Sequence, residues 1–370
     1  MTLAATQHLA AHLTSPGAWD AEADDTLVCA AVIAETHDVA TFVFEPPTPA
    51  TFRFKPGQFL TFEFPLPDGP VNRCYTIASS PMRPHTVSIT VKRVPNGPVS
   101  NWLHDHCRRG TAVKAIGPMG DFTCVDAPAA KYLFLSGGSG VTPLMSMSRA
   151  FADLGGPVDI VFVHAARSPR DIVFRQELDL MAQRLPGFRV VHLVETPGDQ
   201  LGWPGTMGRI SPEFLKLAAP DLATRSVFCC GPDPFMKAAR TLLADLGLPA
   251  ENYHQESFDF ATLSAEDPAV ASDVLAAEAG VSVPTYKVTF TKLGQTVDVR
   301  GDQFVLAAAR DAGLRLPSSC TSGLCGTCKS KLVSGTVEMK HQGGIRQREI
   351  DNGLFLPCCS KPTSDLVVEK

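Results

Sequence analysis

The sequence predicts a multidomain protein of the class β + α/β + α+β. Three observations carry this prediction: proline-rich turns between alternating strands, then buried apolar strands alternating with helices, then a compact cysteine-rich tail. A chain of 370 residues is also too long for one compact core. We expect an N-terminal extension over residues 1–25, a β-barrel over 26–126, a parallel-sheet domain over 127–260, a linker over 261–284 and a small last domain over 285–370.

Short strands separated by turn residues fill the segment 26–126. Residues 27–34 and 39–45 have the apolar composition of strands, and residues 58–64 and 87–92 alternate between polar and apolar side chains. Many short strands joined by proline-rich turns predict a six-stranded β-barrel.

Strands and helices alternate from Lys131 onward. Short apolar runs typical of strands buried on both faces lie at 132–135, 158–163, 190–194 and 227–229. Helices are expected at 143–154, 171–185 and 234–246, with Ser211 as the N-cap of another. This alternation predicts a doubly wound parallel sheet. The alanine-rich segment 261–284 predicts a linker with helix around 269–278, and the tail predicts two short strands and a helix near 304–311.

Composition excludes several classes of protein. The net charge is −5, so the surplus of positive charge that nucleic-acid binding needs is absent. No apolar run approaches the length of a membrane span, and no secretory leader is visible. Eleven cysteines make an odd number for a disulfide framework and favour reduced thiols with a metal site. We therefore expect a cytoplasmic monomer that binds neither nucleic acid nor membrane.

Four cysteines carry the sharpest signal in the chain. Cys320, Cys325 and Cys328 follow a C-x4-C-x2-C pattern, and Cys358 comes after 29 further residues. This is the plant-type [2Fe–2S] arrangement, in which one loop and one distant anchor bring four thiolates together. A zinc site fits less well, because zinc usually takes two close C-x2-C pairs. Cys359 is the alternative to Cys358 as the fourth ligand.

A second set of residues suits a flavin. Arg73 can contact a phosphate, while Tyr75 and Thr76 offer an aromatic neighbour and a hydroxyl to an isoalloxazine ring. The segment 91–93 ends a later strand, and the helix that begins near Ser100 offers backbone amides to a diphosphate. Four motifs follow one another along the chain: R-x-Y-T, V-K-R, G-x-x-S and G-P-M-G-D-F. Together they indicate a flavin site more specifically than any one of them does alone.

Two glycine turns suit a nicotinamide dinucleotide. Residues 136–143 read SGGSGVTP and residues 230–236 read CGPDPFM, each after a strand and before a helix. Two such turns in one sheet predict a crevice at its carboxyl edge, where helix amides meet a pyrophosphate. Neither turn is the G-x-G-x-x-G fingerprint, so a standard Rossmann dehydrogenase is not implied.

Together the motifs resemble the ferredoxin–NADP reductase superfamily with a β-grasp ferredoxin domain fused at the C-terminus. Within it, the chain is most similar to reductases of two-component Rieske oxygenases that demethylate quaternary amines such as glycine betaine or carnitine. Hybrid-cluster-protein reductases are also similar. The resemblance implies FAD, a [2Fe–2S] cluster and NADH, with FMN and NADPH as the alternative cofactors. It also implies the chain order flavin barrel, nucleotide-binding domain, ferredoxin domain.

The resemblance further implies a role for individual residues. Thr76, Cys230 and Glu256 are expected to be catalytic, near flavin N5 and the nicotinamide ring. The expected flavin contacts are Arg73, Tyr75, Thr76, Val91, Lys92, Ser100 and Phe258. The expected dinucleotide contacts are Gly137, Gly138, Gly140, Thr142 and Cys230. The expected cluster ligands are Cys320, Cys325, Cys328 and Cys358.

The predicted function is electron transfer from NADH through FAD and the cluster to a terminal oxygenase. A flavin is needed between the other two because it takes a hydride and releases single electrons. The alternatives are the reductase of a hybrid-cluster protein or a di-iron oxygenase, and a redox sensor. Residues 285–370 hold 12 Lys and Arg against 8 Asp and Glu, and Lys329 and Lys331 flank the cluster loop. This charge predicts a partner with an acidic docking face.

Overall fold

The computed structural model describes most of the chain. The described residues are 17–67, 69–200, 202–258, 283–314, 316, 321, 323, 326–341 and 343–370. The helix expected around 269–278, most of the predicted linker and most of the N-terminal extension lie outside them. The chain divides into two compact units, one drawn from Met1–Pro70 and Tyr75–Phe258 and the other from Val71–Cys74 and Asp259–Lys370.

The first unit begins with a barrel-like antiparallel sheet. Its strands are β1 (Thr26–Ala34), β2 (Val39–Glu45), β3 (Phe59–Leu66), β4 (Gly69–Thr76), β5 (Val87–Lys92) and β6 (Ala112–Met119). They are ordered β4-β3-β6-β1-β2-β5, and helix α1 (Pro98–His106) connects β5 to β6. Phenylalanines at alternate positions, such as Phe42 with Phe44 and Phe62 with Phe64, fill the interior. The predicted barrel is confirmed.

A six-stranded parallel sheet completes this unit. Its strands are β7 (Tyr132–Gly137), β8 (Ile160–Ala166), β9 (Phe188–Val194), β10 (Thr206–Met207), β11 (Ser226–Cys230) and β12 (Tyr253–Glu256). Their order is β10-β9-β8-β7-β11-β12. The helices are α2 (Val141–Leu154), α3 (Arg175–Arg184), α4 (Pro212–Ala218) and α5 (Asp233–Asp245). One face packs around Phe134 and Phe162 and the other around Leu135 and Val163, so the sheet is covered on both sides as a doubly wound fold requires.

One predicted helix boundary is wrong and one predicted helix cap is confirmed. The helix expected from residue 171 begins only at Arg175, because a short 3-10 turn at Pro169–Asp171 comes first and Phe174 adopts the left-handed conformation as N-cap. The N-cap prediction for Ser211 is confirmed, since its side chain accepts a hydrogen bond from Phe214 N at 3.1 Å.

Arg149 on α2 ties the sheet to the barrel. Its guanidinium makes a two-pronged ion pair with Glu177, at 2.7 and 2.6 Å, and donates to Ala78 O at 2.6 Å. One turn earlier, the Ser146 hydroxyl donates to Ser79 O at 2.8 Å. Ala78 and Ser79 directly follow β4, so the strand that carries the expected flavin residues is bonded to the helix that follows the first glycine turn.

The strands of the second unit are β13 (Thr285–Phe290), β14 (Gln295–Arg300), β15 (Ser330–Ser334), β16 (Val337–Met339), β17 (Leu354–Phe355), β18 (Ser360–Pro362) and β19 (Leu366–Glu369). Five of them form a sheet ordered β14-β13-β19-β15-β17, and β16 and β18 form a two-stranded sheet. The helices are α6 (Val305–Asp311) and α7 (Gln347–Asp351). The expectation of two strands is wrong, and three of the seven described strands, β16, β17 and β18, are too short for a two-residue period to appear in the sequence.

No helix in the described part of the chain is both long and apolar enough to cross a bilayer.

Candidate functional site

The candidate site lies at the carboxyl edge of the parallel sheet, where β7 and β11 end side by side. Ser136 pairs with Cys230 in the last register position of these strands. The strand order reverses here, with β8 and β9 on one side of β7 and β11 and β12 on the other. Ligands of doubly wound sheets bind in the crevice at such a switch point.

The two glycine turns approach each other so closely that side chains cannot fit between them. A Cβ atom on Gly140 would lie 2.3 Å from Cys230 O, and one on Gly231 would lie 3.0 Å from Gly137 N. Gly138 has φ +53°, in the left-handed region that favours glycine. Helix α2 starts directly after Gly140, which supplies no side-chain cap to its first amides. This cradle fits a pyrophosphate at a helix N-terminus.

A row of polar side chains crosses the sheet beside this cradle. In-register pairing of five parallel strands places its members side by side on one face: His192, His164, Ser136, Cys230 and Glu256. Two residues earlier on β9, β8, β7 and β11, the same face carries apolar side chains, including Phe162, Phe134 and Phe228. Along these strands, the side chains on this face therefore change from apolar to polar within two residues, at the edge where β7 and β11 end.

Glu256 is a neutral acid in this row at ordinary pH. Its Oε2 atom is buried and accepts no hydrogen bond from any described residue. Burial raises the pKa of Glu256 to about 8, and burial also raises the pKa of the neighbouring Cys230 thiol well above its ordinary value. Both catalytic candidates on β11 and β12 therefore keep their protons near pH 7.

The flavin candidates lie on the ends of β4 and β5. Thr76 is buried at the end of β4, and the ring of Tyr75 lies 6.1 Å from that of Phe64. On β5, Val91 is buried and Lys92 forms an ion pair with Asp38 at 2.7 Å. Asp38 was not predicted from the sequence, because its contact with Lys92 arises from the pairing of β2 with β5.

Helix α1 gives a flavin diphosphate a place to bind. Gly97 precedes the helix without capping it through a side chain, and acidic residues are absent from its first turn. Ser100 accepts a hydrogen bond from Val94 N at 3.1 Å and donates to Gly97 O at 3.2 Å, so its hydroxyl holds the turn before the helix. The amides of this first turn suit an anionic ligand.

The remaining flavin and dinucleotide candidates are also located. Arg73 on β4 is half-buried and donates to Asn72 O at 2.8 Å. The Thr142 hydroxyl donates to Ser139 O at 3.2 Å, which braces the first glycine turn. Phe258, expected over a flavin face, is exposed after β12 and is followed by undescribed residues.

The second unit holds the described part of the candidate metal centre. Cys328 and Cys358 are both buried in one apolar cluster, while Cys320 and Cys325 lie outside the described residues. The Cys359 thiol donates to Leu356 O, with 3.6 Å between sulfur and oxygen. Cys328 and Cys358 fit a [2Fe–2S] cluster, because both are sulfur donors in a dry setting.

Lys329 does not offer its charge to a partner, contrary to the sequence-based expectation. Its ammonium lies 2.6 Å from Glu349 Oε1, and both side chains are only 12% exposed. Arg346 contacts the same oxygen at 3.1 Å, and these cations hold the pKa of Glu349 down at about 2. Lys331 stays exposed while donating to Asn352 O. The charge of Lys329 is therefore compensated by Glu349, although residues 285–370 keep their excess of Lys and Arg over Asp and Glu.

Comparisons with known proteins agree with this arrangement. Three family models match in the same order as the motifs: an oxidoreductase FAD-binding domain at residues 27–124, an oxidoreductase NAD-binding domain at 134–241 and a 2Fe-2S iron-sulfur cluster binding domain at 288–363. A glycine betaine monooxygenase reductase subunit from Pseudomonas aeruginosa is 46% identical over 92% of this chain and 94% of its own. The chain belongs to the family of oxygenase reductase subunits.

Two further proteins show how far the family likeness extends. The stachydrine N-demethylase reductase subunit of Rhizobium meliloti is 42% identical over 93% of this chain and 96% of its own. The crystal structure of phthalate dioxygenase reductase matches with a TM-score of 0.57 and 25% identity, covering 95% of this chain and all of that one. The reductase is thus an NAD(P)H-dependent oxidoreductase that uses FAD, NADH and a [2Fe–2S] cluster.

The two histidines of the polar row, His164 and His192, were not predicted from the sequence. His164 is the first polar residue after the apolar run 158–163, and Ser136 holds the same place after the run 132–135. This shared position was a usable signal, because the last residues of parallel strands meet at one edge of the sheet.

We expect Gly140→Ala to weaken NADH binding at least about tenfold, or about 1.4 kcal/mol. The added Cβ would lie 2.3 Å from Cys230 O, so the two turns must separate. NADH titration of flavin reduction under anaerobic conditions measures the change. Gly156→Ala is the matched control, because a Cβ there meets nothing within 4 Å and should leave binding unchanged. Normal NADH binding by Gly140→Ala would contradict this account of the cradle.

We also expect Glu256 to make the stability of the reductase fall with rising pH. The folded protein holds this proton up to about pH 8, whereas the unfolded chain loses it near 4.5, so the stabilisation present below 4.5 is lost as the pH rises toward 8. Thermal midpoints measured from about pH 6 to about pH 9 should decline less in Glu256→Gln than in the wild type. Parallel declines in the two proteins would show that Glu256 titrates normally.

Proposed function

We propose that this reductase takes a hydride from NADH and passes the two electrons singly to a Rieske oxygenase that demethylates a quaternary amine. The observation that carries the proposal is the full-length likeness to subunits named for glycine betaine monooxygenase and stachydrine N-demethylase, at 46% and 42% identity. The crevice at β7 and β11, with its neutral acid Glu256, supports the first step of this function.

In the proposed mechanism, the glycine cradle binds the dinucleotide and orients it. Gly137, Gly138 and Gly140 present backbone amides at the start of α2, while Thr142 braces the turn. Cys230 and Glu256 line the nicotinamide side as uncharged groups and exclude water from it. When bound, the flavin accepts a hydride and gives up electrons one at a time, which matches the one-electron capacity of the cluster.

The flavin is proposed to lie along the ends of β4 and β5. Thr76 offers a buried hydroxyl to the isoalloxazine, with Tyr75 beside it and Lys92 held in place by Asp38. The amides of the first turn of α1 and the guanidinium of Arg73 would take the diphosphate. Val91, Ser100 and Phe258 complete the proposed flavin environment, with Phe258 covering the ring face.

The proposal extends to the organisation of the protein in the cell. We propose domain limits of 26–126 for FAD, 127–260 for NADH and 285–370 for the cluster, with an extension over 1–25 and a linker over 261–284. The reductase is proposed to act as a cytoplasmic monomer. Eleven cysteines in an odd number favour a reducing compartment.

The proposed partner and substrate can be tested by reconstitution. Purified reductase, NADH and a Rieske oxygenase component are combined with glycine betaine, stachydrine or carnitine, and formaldehyde release is measured. We expect release from one of these amines and none without the reductase. NADH-driven reduction of ferricyanide without demethylation of any of the three amines would retain the reductase activity and overturn the proposed substrate class.

Cys358→Ser should abolish the visible absorption of the [2Fe–2S] cluster, whereas Cys359→Ser should retain it. The Cys359 thiol donates to Leu356 O within its own turn, which supports Cys358 as the proposed ligand. Absorption and electron paramagnetic resonance spectra of the dithionite-reduced variants measure cluster content. Loss of the cluster in Cys359→Ser, with retention in Cys358→Ser, would reverse the assignment.

A further inference from the structure

His164 is a fully buried histidine that the proposed mechanism does not use. It lies on β8 beside Ser136 of β7, with 2.7 Å between its Nδ1 atom and Ser136 Oγ. When the Ser136 hydroxyl donates to Val163 O at 3.2 Å, Nδ1–H is the donor in the contact with Ser136; in the other tautomer the hydroxyl donates to Nδ1 and Nε2 carries the hydrogen. In both tautomers Nε2 is without a hydrogen-bond partner among the described residues. Burial lowers the pKa of His164 to about 3, and the imidazole is therefore neutral.

If the His164 imidazole only filled space in the core, it would lower the stability of the folded protein. With Nδ1–H donating, its Nε2 atom is a buried acceptor that receives no hydrogen bond from the described residues. An unmet buried acceptor destabilises a protein, and an apolar side chain of similar size would remove it. Ser136 would keep its bond to Val163 O after such a replacement. The local energetics therefore favour an apolar residue where His164 stands.

The position of Ser136 suggests what His164 does. Ser136 is the last residue before the glycine turn, and both of its hydroxyl bonds reach β8. The next residue, Gly137, already lies against the second turn, where an added Cβ would be 3.0 Å from Pro232 Cδ. Rotation of the peptide between Ser136 and Gly137 would carry the amides of Gly138 and Gly140 with it.

We propose that His164 is a positioning residue that fixes Ser136 and thereby aims the glycine-turn amides at the dinucleotide. This inference rests on the proposed role of Gly137–Gly140 in NADH binding. His164 is fully buried and its side-chain hydrogen bond is to Ser136, so its proposed effect passes through Ser136. Its loss should therefore weaken NADH binding while the rate at saturating NADH is kept.

The neighbouring His192 provides a matched control. It pairs with His164 in register on β9, and its Nε2 atom lies 2.8 Å from Asp179 Oδ1. Its side chain is 11% exposed, so its replacement also removes a largely buried imidazole from the same face. The side-chain hydrogen bonds of Ser136 are with Val163 and His164, both on β8, whereas His192 lies on β9, one strand farther away.

The test compares His164→Leu, His164→Asn and His192→Leu in the full-length protein loaded with FAD and cluster. The concentration dependence of anaerobic flavin reduction gives the Kd for NADH and the limiting rate. We expect His164→Leu to raise this Kd about three- to tenfold, the worth of one hydrogen bond, with the limiting rate unchanged. His164→Asn should restore the Kd to within about twofold, because its amide can donate to Ser136 from the position of Nδ1.

Three controls separate positioning from packing. His192→Leu should leave the Kd unchanged, thermal stability should not fall in His164→Leu, and flavin reduction by dithionite should be the same in all variants. A wild-type Kd in His164→Leu, or equal rises in His164→Leu and His164→Asn, would overturn the inference. If His164→Leu does not fold, Ser136→Ala decides, since it removes the same bond: a raised Kd supports the inference and a normal one overturns it.

The dinucleotide site and the role of His164 are tested by different variants. Gly140→Ala tests the cradle itself, so normal NADH binding in that variant would end the proposed dinucleotide site. Impaired binding in Gly140→Ala together with a normal Kd in His164→Leu would leave the site in place and remove only the role of His164.

Discussion

The close approach of two backbone turns is the constraint on which the rest of this reductase depends. Gly140 and the carbonyl of Cys230 are so near that no side chain fits between them. The contact lies where the ends of β7 and β11 meet, directly before the start of α2. A dinucleotide site in this fold is thus made mostly of backbone, and the side chains around it adjust its polarity.

The side chains of the polar row set the polarity of this edge of the sheet. His192, His164, Ser136, Cys230 and Glu256 occupy one register position on five adjacent strands, beyond an apolar core of phenylalanines. The three central members of the row are fully buried, and the pKa shifts of His164, Cys230 and Glu256 all favour their neutral forms. The edge of the sheet is therefore polar without being charged, which suits a pocket where a hydride moves.

The fold was predictable from sequence wherever local pattern determines structure. Apolar runs such as 132–135 identified the parallel strands, and the glycine and cysteine motifs marked the cofactor domains before any contact was known. The sequence predicted only two of the seven described strands of the second unit, and strands such as Leu354–Phe355 are too short to show a period. The pairings of Lys92 with Asp38 and of Lys329 with Glu349 were also missed, since each joins residues far apart in the chain.

Arg149 connects the two parts of the first unit that carry the expected flavin and dinucleotide residues. This one side chain links α2 to Glu177 and to the backbone beyond β4, so the flavin strand and the dinucleotide helix share a rigid joint. The residues proposed to hold the flavin and those proposed to hold the dinucleotide would therefore keep a fixed spacing, with Arg149 as their common support.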